Sequence, residues 1–183
     1  MIFKRCIGAG AQSNESNPLE SGDLNMDVLQ AIEKRREITR FQAQPIPQEL
    51  IDLLVRSLYL SPSGNNTPSR EFILVTQKEM LLKLKETTPY MAWLESAAAA
   101  FVLVGNEKSS KYWLQDASIA GGYLWLTAVS LGLGAAWGAV YHSEDSEESA
   151  KREGYVRNLL QVPDEMRIVA VIGLGFPDME PEP

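Results

Sequence analysis

Hydrophobic and polar positions along the chain fall into recurring patterns. From Ala117 to Tyr141 no residue is charged, and apolar side chains recur all the way round a helical turn, so the run predicts a helix with no solvent face. Leu131-Gly132-Leu133-Gly134 stops that helix, because glycine readily takes the positive φ of a C-cap. The short aromatic run Ala135 to Tyr141 then reads as a strand. Three more short apolar runs predict buried strands: Glu71 to Thr76, Ala99 to Gly105 and Arg167 to Leu174.

Between them lie stretches of helical period. Met26 to Arg36 puts Val28, Leu29 and Ile32 on one stripe, with Asn25 as cap, Asp27 in the first turn and Lys34, Arg35 and Arg36 at the C-terminal dipole. Pro47 opens a second helix, Gln48 to Leu60, with Leu50, Leu54 and Leu58 on one face, and Pro62 ends it. Lys78 to Thr87 and Pro89 to Ala97 read as further helices. The last helix starts at Ser146 as its cap and runs to about Gln161, before Pro163. Helices and about four strands interleave without repeat or linker, which is a layered α/β or α+β domain.

The long uncharged run admits two explanations. About 20 apolar residues suffice to cross a bilayer. The alternative is the central helix of a core or a subunit interface. The core reading is preferred: the helical part stops near Gly134, flanking charge is mixed (Lys108 and Lys111 before; Glu144, Asp145, Glu147 and Glu148 after), and no second such run exists.

Composition narrows the function classes. The 183 residues carry a net charge of −7, which disfavours nucleic-acid binding, since phosphates demand a basic face. One cysteine, Cys6, and one histidine, His142, exclude an internal disulfide and make a His/Cys metal site a poor reading. A reducing, cytoplasmic home fits. Residues 1–25 lack a secretory apolar core and read as a weakly structured extension, with Met26 a conceivable functional start. The acidic tail after Pro177 reads as loose.

Two polar constellations are candidates for chemistry. Arg35, Arg36 and Arg40 straddle a helix end, where planar guanidinium forks suit phosphate, although a solvated helix terminus explains them equally. Ser61-Pro62-Ser63-Gly64-Asn65-Asn66-Thr67-Pro68-Ser69 is a loop of turn formers beside a buried strand; it reads either as a pocket wall or as a plain connection. No Gly-x-Gly-x-x-Gly opens a helix after a strand, and no P-loop or His-Glu-x-x-His is present. His142 reads as a rim residue and Cys6 as incidental. Catalysis by this chain therefore calls for a bound cofactor.

In order, these pieces resemble the FMN-dependent nitroreductase family over about Met26 to Pro177. Arg35-Arg36-Glu37-Ile38-Thr39-Arg40-Phe41 stands where the family has Arg-Arg-Ser-x-Arg-x-Phe. Ser61 to Phe72 matches its Ala-Pro-Ser-x-x-Asn-x-Gln-Pro-Trp-x-Phe loop. Gln115-Asp116 to Gly132-Leu133-Gly134 matches its central helix, and Gly175-Phe176-Pro177 its closing Gly-x-Pro. The resemblance implies an α+β fold: a three-layer α-β-α sandwich with a mostly antiparallel sheet of about four to five strands around the central helix. It also implies a homodimer, with residues 26–183 forming one FMN-binding domain.

For the site, the resemblance implies that Arg35 and Arg36 contact the FMN phosphate and ribityl chain. Thr39 stands at a cofactor-contacting position usually held by a cation. Pro62, Ser63 and Asn66 would contact the ring or ribityl hydroxyls, and the backbone of Trp137-Gly138-Ala139 would pass beside the ring. Glu37 replaces a serine, Pro68-Ser69-Arg70 replaces Gln-Pro-Trp, and no basic residue follows Pro177. The implied activity is ping-pong transfer from NADH or NADPH through FMN to a nitroaromatic, quinone or flavin acceptor, with no nucleic-acid or membrane partner. Reductive dehalogenation, flavin cleavage and flavin binding without turnover are the alternatives.

Overall fold

The computed structural model describes residues 26–179. The expectations for residues 1–25, including Asn25 and Cys6, and for residues 180–183 lie outside this range. Four strands form one antiparallel sheet: β1 (Arg70–Val75), β2 (Ala99–Gly105), β3 (Gly134–Ala139) and β4 (Arg167–Gly175), in the order β1-β2-β4-β3. The last strand in sequence thus inserts between β2 and β3 and leaves β3 as an edge. A bulge at Val169, opposite the step from Leu103 to Val104, interrupts the β2–β4 register.

Both faces of this sheet are covered, which is why β2 is buried at every position and shows no polar alternation. One face carries α2 (Gln48–Leu60) and α4 (Trp113–Ser130), whose Leu54, Leu58 and Leu124 pack with Phe101, Leu103 and Ile172 of the sheet. On the other, α3 (Lys78–Lys85), α5 (Ser146–Leu160) and a kinked 3₁₀ segment, Pro89–Glu95, bring Leu81, Leu84, Leu94, Val156 and Leu160 against Val102, Val104 and Val171. This is the expected three-layer α+β sandwich, with four strands.

Several boundaries differ from the sequence reading. The first helix, α1 (Val28–Lys34), begins later and ends earlier than expected, because Asp27 is its cap and forms a capping box with Gln30. Asp145, not Ser146, caps α5 by accepting from the N–H groups of Glu147 and Glu148. Pro89–Glu95 is 3₁₀ rather than α, kinked at Met91. α4 ends at Ser130, Gly132 takes φ 73° in the turn, and Gly134 already belongs to β3.

α4 also departs from the expectation of a helix without a solvent face. Ala117, Ala120, Leu124 and Ala128 face the sheet, whereas Ile119 (43% exposed) and Tyr123 (44%) point outward with Ser118 and Gly122. Among the described residues, no helix is long and apolar enough to cross a membrane.

Candidate functional site

The expected site residues separate into two groups, one along the edge of β3 and one at the start of α4. At its C-terminal end, α1 stops and the chain runs along the free edge of β3. Arg36 Nη1 donates to the carbonyls of Glu33 and Arg35 at 2.8 and 2.9 Å, closing off the helix end. The Arg35 guanidinium lies 5.0 Å from the centroid of Trp125, which itself stacks on Trp137 of β3 at 6.5 Å and 12°. Among the described residues, neither arginine has a carboxylate partner.

Next, Glu37 forms a parallel bridge with Ala135, and the Ile38 N–H donates to the Ala135 carbonyl at 3.0 Å. Ile38 fills the space over Gly134, where a Cβ would collide with it. The Glu37 carboxylate accepts the Trp137 N–H at 3.3 Å. By the alternation of a strand, the N–H of Ala139 points to the same edge, and Ala139 is exposed. Gly138 faces the opposite side, where Met91 occupies the place of a side chain. Thr39 is exposed, with its hydroxyl 3.8 Å from the Met179 sulfur. Arg35, Arg36, Thr39, Trp137, Gly138 and Ala139 are thus brought to one edge.

Pro62, Ser63 and Asn66 are not. Their loop sits at the start of α4, where the Gly64 N–H donates to Asp116 Oδ1 at 2.8 Å and the Ser69 hydroxyl to Oδ2 at 2.5 Å. Asp116 is buried, so both of its oxygens are satisfied by the loop it anchors. Arg70 closes the loop from behind: Nε and Nη2 donate to the Ser61 hydroxyl at 3.2 and 2.9 Å, and Nη2 also reaches the Ser61 carbonyl. Burial lowers the pKa of Arg70, partly offset by the nearby Asp116. Gly64 packs under the Tyr112 ring, and Asn65 and Asn66 both hold φ 55°, a left-handed conformation that asparagine tolerates. Along α4, Asp116, which anchors the loop, and Trp125, which faces Arg35, are about nine residues or about 14 Å apart at helical rise.

The anchoring role of Asp116 and the Arg70 clamp were missed in the sequence. A signal was present, because a carboxylate opening an otherwise uncharged helix must find donors.

A second polar region lies at the same end of the sheet as Arg70, where β2 ends and β4 begins. Arg167 pairs with Glu153 at 2.7 Å and Glu107 at 3.0 Å, between the rings of Trp113 and Tyr141 at 5.2 and 5.0 Å. Glu153 also accepts from the Ile168 N–H and the Ser149 hydroxyl. Burial pushes the Glu153 carboxyl up, but Arg167 and these donors outweigh it and hold it below the ordinary range; Glu153 in turn raises Arg167. A cavity of about 550 Å³ opens here beside His142 and Ser146. His142 is a rim residue, its Nδ1 accepting the Asp145 N–H at 3.0 Å. The Arg167 and Glu153 charges are matched internally, so this region reads as structural.

The β3 edge suits a flat anionic ligand better. Small residues line it, backbone donors face outward, and among the described residues two guanidinium groups lack counterions. The Trp125 indole N–H, beneath Arg35, is a buried donor with no acceptor among the described residues. These features fit a phosphate-bearing aromatic group; Glu37 opposes it on the edge, and at the far end Arg152, paired with Glu148, donates to the Ala139 carbonyl.

The model of the nitroreductase family matches residues 32–176. A protein of Methanothermobacter thermautotrophicus, provisionally named NADH dehydrogenase/NAD(P)H nitroreductase, is 38% identical over 159 residues, covering 85% of this chain and 80% of its own. An FMN-dependent nitroreductase from Clostridium difficile superposes with a TM-score of 0.77 at 29% identity, over 83% of this chain and 88% of that one. An iodotyrosine deiodinase of Thermotoga neapolitana is 26% identical over 174 residues, 82% of this chain and 88% of its own.

Proposed function

The chain belongs to the nitroreductase family and is an oxidoreductase of that family, and from this premise we propose that it uses FMN to pass electrons from NADH or NADPH to a nitroaromatic, quinone or flavin acceptor. Bound FMN supplies the hydride-accepting and electron-donating chemistry that no side chain here provides. The observation that carries the reading is the free edge of β3, with outward N–H groups and small residues, flanked by Arg35 and Arg36, which have no carboxylate partner among the described residues.

In this reading Arg35 and Arg36 bind the phosphate end, each charged hydrogen bond contributing about 1.5–3 kcal/mol. Trp137, Gly138 and Ala139 orient the ring through backbone groups. Glu37 holds the Trp137 N–H when nothing else does and yields it, or accepts from a ligand hydroxyl, on binding. Thr39 supplies a hydroxyl without charge.

The split of the expected residues supports a homodimer. The outward Ile119 and Tyr123 face of α4 is apolar, and a twofold axis across it would lay two α4 helices antiparallel. The partner subunit's Pro62, Ser63 and Asn66 would then meet the first chain's arginines. This accounts for a loop anchored 14 Å away, about nine helical residues along α4.

The test is direct. Protein titrated with FMN should quench its fluorescence, and anaerobic NADH or NADPH should bleach the flavin until an acceptor restores it. The absence of both quenching and bleaching would overturn the proposal. A second reading, reductive dehalogenation, draws on the deiodinase relative. Halide release from an iodophenol by the reduced protein would separate it from nitro and quinone reduction.

A further inference from the structure

The free edge of β3 ends on residues that cannot lock it by packing. Gly138 has no side chain, its place being taken by Met91, and Ala139, the last residue of the strand, is exposed. A strand end without a neighbour on one side frays unless something holds it. Here the hold comes from α5. Arg152, in the second turn of that helix, donates from Nη1 to the outward Ala139 carbonyl at 3.3 Å and from Nε to the Glu148 carboxylate at 2.8 Å. The N–H of the same peptide, that of Val140, donates to the Val169 carbonyl at 3.1 Å, so this peptide is gripped from both sides. At the other end of the edge the Ile38 N–H takes up the Ala135 carbonyl at 3.0 Å. Between these two ties the alternation of the strand turns the Trp137 carbonyl and the Ala139 N–H outward.

The Arg152 side chain is 14% exposed and its charge is matched by Glu148, so unlike Arg35 and Arg36 it offers a ligand no free cation. What it offers is a fixed peptide. We propose that Arg152 is a positioning residue for the cofactor: by tying the Ala139 carbonyl to α5, it holds the Ala139 N–H toward the bound ring. The inference rests on the cofactor reading above and adds to it the residue that keeps the ring end of the edge in place.

FMN titrations of the full chain compare wild type, R152A, R152K and the charge-balanced double variant E148A/R152A, with urea unfolding of each protein alone. R152A should weaken FMN about threefold to tenfold, the net strength of one hydrogen bond. It should also lower the visible circular dichroism of the bound flavin, because a ring held less firmly gives a weaker signal. The double variant should show the same loss, since the tie is missing whatever the charge. R152K, whose ammonium keeps a donor for the carbonyl, should stay within about twofold of wild type. A double variant that regains wild-type affinity overturns the assignment, because charge alone then explains R152A. A lower urea midpoint with unchanged FMN affinity and flavin signal in R152A overturns it too, leaving Arg152 a stability contact. Wild-type protein that fails to quench FMN fluorescence overturns the cofactor reading itself, and the Arg152 assignment with it.

Discussion

Two regions of this molecule place arginine beside carboxylate and tryptophan, and they differ in whether the fold supplies the counterion. Arg167 has Glu153 and Glu107 on it and aromatic rings around it. Arg35 has one ring, Arg36 has two carbonyls, and the neighbouring Glu37 binds a backbone N–H rather than either guanidinium. Guanidinium groups satisfied within the chain tie α5 to β4. Those left without anions at a strand edge are available to a ligand. Local charge density alone does not make the distinction, since both regions mix acids and bases.

The comparison can be broken by removing its strongest member. E153Q should destabilise the fold by about 3 kcal/mol, toward the low end for a buried pair because the Arg167 side chain is 26% exposed. FMN affinity should stay within about twofold, and urea unfolding beside a fluorescence titration checks both. Because the folded pKa of Glu153 is depressed, the wild-type advantage over E153Q should be complete above the unfolded value near pH 4.3 and be lost as pH falls through the lower folded value.

D116A should cost about 2–3 kcal/mol, since the Gly64 N–H and the Ser69 hydroxyl lose their acceptor. Unlike E153Q, it should also weaken FMN binding by freeing the loop of Pro62, Ser63 and Asn66. Equal FMN affinity in D116A and wild type would remove that loop from the site.

R35A sharpens the contrast from the ligand side. It should weaken FMN about tenfold to a hundredfold, while stability falls by about 1 kcal/mol or less from the lost Trp125 contact. The smallest effect is a gain. T39R, restoring a cation at the edge, should tighten FMN about tenfold, or about 1.4 kcal/mol. A T39R protein that binds FMN no better would show that Thr39 lies away from the phosphate.

Much of the fold was legible because periodicity reports burial directly. The run from Ala117 to Tyr141 divides into α4 and β3 at the glycines, as the pattern predicts, and β2 matches its apolar run from end to end. Cap positions slipped where an aspartate beside the expected residue made the better acceptor, as at Asp27 and Asp145. The candidate site was legible as residues but not as a place. Arg35 and the Pro62 loop meet α4 at different places, Trp125 and Asp116, which no local pattern in the sequence marks.

By itself, the sequence determined the layers, the strands and the family, because these follow from which residues avoid water and from motifs in order. Only the tertiary structure decided that α4 keeps an outward apolar face, that Asp116 anchors the loop, and that Glu37 sits on the Trp137 N–H. It also decided which arginines go unpaired. Pairing is a matter of distance between elements far apart in sequence, and local pattern carries no measure of that distance.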